Sequence, residues 1–112
     1  MPWGEGAPLA EARVRVMRMV AMLAGNGWLH PRGSIAYTVK YRLEISRRLT
    51  GPLAGEVVGR GTVEAESYAL ADARRAGRAT LTIANGDSFA VDVSGDASRS
   101  ADITVVGRIS GF

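Results

Sequence analysis

Residues 35 to 46 read IAYTVKYRLEIS and alternate without an error. Ile35, Tyr37, Val39, Tyr41, Leu43 and Ile45 fall on one face, and Ala36, Thr38, Lys40, Arg42, Glu44 and Ser46 on the other. Successive side chains of a strand point to opposite sides of its sheet, so a period of two held this long specifies a strand with one buried and one wet face. The rest of the chain must supply that strand with neighbours.

The next segment, EVVGRGTVEAES (56–67), follows the turn TGPLAG, and its register against the first strand follows from charge. If paired residue numbers sum to 104, Lys40 faces Glu64, Glu44 faces Arg60, Arg42 faces Thr62 and Thr38 faces Glu66, while Tyr41 meets Val63 on the other side. A slip of one residue would turn Val57 and Val63 to water and lose both opposite-charge pairs. Gly59 and Gly61 would then lie under Ile45 and Leu43, where a bend or bulge is expected.

Upstream, LAEARVRVMRMVAMLA (9–24) is rich in helix formers, with Pro8 before it and Gly25 after it, and a helix is expected. A strand over 12–22 competes, because Arg13, Val14, Arg15 and Val16 alternate; the break at Met17 to Met19 counts against it. GNGWLHPRGS (25–34) reads as a loop. Its LHPRGS differs by one residue from LVPRGS, a common engineered cleavage sequence. No oligohistidine run precedes it, so it is read as native.

Downstream, SYALADARRAG (67–77) reads as a short helix near 68–76, with Ser67 as N-cap and Gly77 at its end. ATLTIANGDSFAVDV (79–93) is a hairpin around Asn85-Gly86, with a loop of about three residues, or a bulge, that sets Ile83 opposite Phe89 and Leu81 opposite Val91. SGDASRSAD (94–102) is a polar loop, and ITVVGRI (103–109) a last strand with Ile103, Val105 and Ile109 inward. The expected fold is one α+β domain over 1–112, mainly antiparallel β. About five strands form a strongly curved meander or partly open barrel over 35–110, with an N-terminal helical segment at 9–24.

Composition removes several kinds of chemistry. The 112 residues include no cysteine and one histidine, His30, so thiolate chemistry, cysteine-held metals and multi-histidine sites are excluded. Neither Gly-x-Gly (25–27 and 59–61) extends to a phosphate-binding fingerprint. Glu64 and Glu66 share a strand face, but surface partners already account for them. No catalytic residue, metal or cofactor is expected, and the chain is read as non-enzymatic. No apolar run approaches the roughly 20 residues of a spanning helix. Arg13, Arg15 and Arg18 before MVAMLAG make a poor signal peptide, so an unprocessed cytoplasmic protein is expected, without a membrane role. The net charge of +3 rests on arginine, with Lys40 the single lysine; beside 14 glycines this suggests a GC-rich bacterial genome.

Three functional readings remain. The first is an interaction module that binds a protein partner or itself, because Met17, Met19 and Met22 crowd into six residues and methionine suits adaptable binding surfaces. The second is a curled sheet around a small apolar ligand, lined by Tyr37, Tyr41 and Phe89. The third is weak binding of single-stranded nucleic acid by Lys40, Arg42, Arg47, Arg48 and Arg60. On the alternating pattern the tyrosines lie opposite these cations, and Glu44, Glu64 and Glu66 interrupt the basic face, so nucleic acid fits least well.

Overall fold

A computed structural model describes residues 17–107 and 109 of the chain. Six strands form a closed antiparallel barrel: β1 (Met17–Pro31), β2 (Tyr37–Arg48), β3 (Val57–Glu64), β4 (Arg78–Thr82), β5 (Ser88–Ser94) and β6 (Ser100–Val105). One helix, α1 (Ser67–Ala76), joins β3 to β4. Round the barrel the order is β1-β2-β3-β6-β5-β4, so two three-stranded meanders meet along the β3/β6 and β1/β4 seams. The expected single meander of about five strands is thus replaced by six strands with a crossover.

The alternating strand lies where its pattern requires. Val39, Tyr41, Leu43 and Ile45 are buried, and Lys40, Arg42 and Glu44 are exposed. Its span is displaced to 37–48, leaving Ile35 in the turn with 69% of its surface exposed. The sum of 104 holds at every pair from Lys40↔Glu64 to Arg47↔Val57. The ladder is unbroken there, so the glycines mark close approach and no bulge: a Cβ on Gly61 would overlap the Arg42 carbonyl, and one on Gly59 would sit 2.8 Å from Val105. Glu66 lies beyond the ladder, and Arg99 takes the place expected of Thr38, its Nη2 lying 3.4 Å from the Glu66 carboxylate.

The largest correction concerns the expected helix. Residues 17–24 belong to β1, and 9–16 lie outside the described residues. Helix propensity is a weak prior, and the twelve residue pairs that β1 makes with β2 override it. The interruption at Met17 to Met19 is a β-bulge in this strand, at Val20: the register shifts between Met19 and Ala21. Most of the expected loop is strand as well, since Gly25–Pro31 continues β1. Its glycines are needed there: a Cβ on Gly27 would overlap the Thr82 carbonyl and lie 3.3 Å from the ring of Tyr41.

The second meander keeps the expected inward set. Ile83 N–H donates to the Asp87 carbonyl (2.9 Å), closing the expected three-residue loop, but the partners are Leu81↔Phe89 and Ala79↔Val91, two positions from those inferred. A shift of two leaves every side chain on its face. Glu66, with extended φ and ψ, is the N-cap of α1 in place of Ser67; Gly77, at φ 77°, ends the helix as expected. Ala69, Leu70 and Ala73 close one end of the barrel, the burial of Leu70 contributing about 1.5–3 kcal/mol. Ile103 and Ile109 are buried and Val105 packs against them, although the last strand ends at Val105.

Replacing Gly61 with alanine should cost about 1–3 kcal/mol through overpacking, read as a lower midpoint in urea unfolding. An unchanged midpoint would contradict the close approach of β2 and β3.

Candidate functional site

The bulge in β1 decides which side chains reach the surface. Above it, inward Ala21 and Leu23 alternate with outward Met22 and Ala24. Below it, Met19 pairs with Ser46 and Met17 with Arg48, both outward positions of β2. One extra residue therefore brings Met17, Met19 and Met22 to the same outer face, with Val20 beside them. Met19, Val20 and Met22 are exposed, Met19 over 54% of its surface, and Met17 is half-buried.

The same strand carries a free edge. β4 pairs with β1 only over Trp28–Pro31, so among the described residues no strand lies against Met17–Gly27 on the side away from β2. Such an edge presents backbone N–H and C=O groups open to a further strand.

The three aromatic residues expected to line a ligand cavity are not gathered in one. Tyr41 is buried, its ring along Gly25 and Gly27, and its hydroxyl accepts the Ala84 N–H at 3.1 Å. Phe89 is half-buried against the core. Tyr37 sits at the helical end, beside Tyr68 at 5.9 Å between ring centres, in a cleft of about 500 Å³ that also includes Glu64, Glu66 and Arg99.

Of the cations, Lys40, Arg42 and Arg60 share the outer face of β2 and β3, where Glu44 and Glu64 are their immediate neighbours. Arg48 faces outward but is half-buried. Arg47, paired with Val57 on the inward row, leaves that face. The basic stripe is thus short and interrupted.

His30 lies on the outer side of β1, its Nε2–H donating to the Ser34 carbonyl at 2.6 Å. No group of three or more His, Cys, Asp or Glu among the described residues is placed to hold a metal ion. No described helix is long and apolar enough to cross a membrane.

One constellation was missed entirely. Asp72 on α1 accepts hydrogen bonds from the Ser34 hydroxyl and, at 2.9 Å, from the Tyr37 hydroxyl, with Arg75 3.6 Å away. These contacts tie the helix to the β1–β2 turn across 38 and 35 residues of sequence, and no local pattern signals them. The hydrogen bonds from Ser34 and then Tyr37 hold the Asp72 carboxyl below the ordinary aspartate range against the opposing effect of burial, with a lesser contribution from Arg75.

No family model, curated protein or solved structure matches this chain.

A carboxyl with a depressed folded pKa stabilises the fold above its unfolded pKa, and that stabilisation is lost as pH falls through the folded value. The stability gap between the native chain and Asp72→Ala should therefore be full at neutral pH and close below about pH 4. Thermal melts across pH would read it. A gap that is constant with pH would show that the carboxylate charge plays no part.

Proposed function

We propose that this chain is a non-catalytic interaction module, binding a protein partner or another copy of itself through the outer face and free edge of β1. The observation that carries the reading is the exposure of Met19, Val20 and Met22 together, on a strand whose edge is unpaired from Met17 to Gly27 among the described residues. Large apolar side chains clustered at the surface recover free energy when covered, about 25 cal/mol per Å². Methionine accommodates imperfectly shaped partners because its chain is unbranched and polarisable. The backbone edge adds directional hydrogen bonds of the strand-addition kind.

The polar groups support no competing chemistry as well. Ser34, Tyr37, Asp72 and Arg75 satisfy one another across the helix–turn contact, in the manner of a structural tie. Lys40, Arg42 and Arg60 have carboxylates beside them, which weakens any field directed at phosphate.

Replacing Met17, Met19 and Met22 together by glutamine should leave the circular dichroism spectrum and melting profile near those of the native chain. Association, followed by sedimentation and by capture with the full chain as bait, should be lost. Unchanged association would reject the reading, and global unfolding would place the methionines in the core.

A further inference from the structure

We propose that a second copy of this chain pairs antiparallel along the free edge of β1, about a two-fold axis at Met22. The inference rests on the interaction reading above and names its partner. The stretch of β1 without a neighbour among the described residues begins at Met17 and ends at Gly27, where β4 takes over. An antiparallel pairing centred on Met22 overlaps almost all of this stretch, and because the bulge at Val20 adds one residue, Met17 of one copy comes opposite Asn26 of the other, outward against outward.

Charge favours this arrangement. Arg18 is the single charged residue between Met17 and Gly27, and with the bulge counted the two-fold sets it opposite Gly25 of the second copy, so like charges do not meet across the seam. On the outer face the same register sets Met22 against Met22 and Met19 against Ala24, apolar against apolar. An edge with no pattern of charge offers little to a partner of opposite sign, whereas an isologous contact requires only that the surface complement itself.

Other protections of edge strands are sparse. Natural edges are kept single by lysine, proline, inward charge, a bulge or a cover. Met17–Gly27 contains neither lysine nor proline, its bulge at Val20 gathers the methionines on one side, and its one inward-row charge, Arg18, lies near the far end of the stretch opposite Arg47. At about 3.3 Å per residue over its nine ladder positions, the seam would be roughly 30 Å long. One pair of strands buries less than the ~1,200 Å² of a standard interface, so the dimer is reversible and concentration-dependent.

The chain has no cysteine, so one introduced cysteine is its single thiol. Sedimentation of the native full-length chain should show a monomer–dimer equilibrium that shifts with concentration. Met22→Cys under mild oxidation should give a disulfide dimer several-fold more abundant than Ser88→Cys, an exposed position on β5. If Met22→Cys folds poorly, a mixture of Met19→Cys and Ala24→Cys chains should give the mixed dimer. A monomer at every concentration overturns the inference. If that monomer still binds another protein and loses it with the methionine triple variant, the broader reading stands. A dimer that cross-links through Ser88→Cys and not through β1 overturns the placement of the seam.

Discussion

Tyr41 sets the terms on which this barrel closes. Its ring lies along β1 at Gly25 and Gly27, and its hydroxyl takes the N–H of Ala84, the second residue beyond the end of β4. Beside it the Thr82 carbonyl comes so close to Gly27 that a side chain there would collide. A large ring inside a small barrel needs such empty positions opposite it, and a buried hydroxyl needs a partner. Both requirements are met where β1 and β4 part. The seam is accordingly limited to Trp28–Pro31 against Ala79–Thr82, and among the described residues the remainder of β1 continues with β2 alone.

The exposed apolar face follows from that geometry together with one inserted residue. An unbroken alternation would turn Met17 and Met19 inward with Ala21. The bulge at Val20 reverses the two faces below it and sets the methionines beside Met22 on the outside. Their exposure thus comes from the backbone path, and so does the patch on which the interaction reading depends.

The opposite end of the barrel is organised by α1. Leu70 and Ala73 are fully buried over the mouth, and Asp72 on the neighbouring face of the helix accepts from Ser34 and Tyr37. Apolar burial supplies the main attraction, and the hydrogen bonds fix the helix against the β1–β2 turn. The helical end is tied down; the end from which β1 and β2 extend carries the edge that no strand among the described residues pairs.

The residues alone determined β2, the register of β3 against it, the helix ended by Gly77 and the three-residue loop at Asn85-Gly86. Each of these rests on contacts between neighbours in sequence or on one repeating face, where period, charge and turn chemistry act locally. Ala, Leu and Met around 17–24 favour a helix on their own, and only the ladder with β2 converts that stretch to strand. The break at Met17 to Met19 was visible in the pattern, but an interrupted period reads equally as a lost strand or a bulged one until a partner strand fixes the register. The Asp72 tie left no trace, since its members come together only when α1 seats on the barrel. The composition and order of the methionines belong to the sequence; whether they face core or water was decided by the tertiary structure, because one bulge reverses every face beyond it.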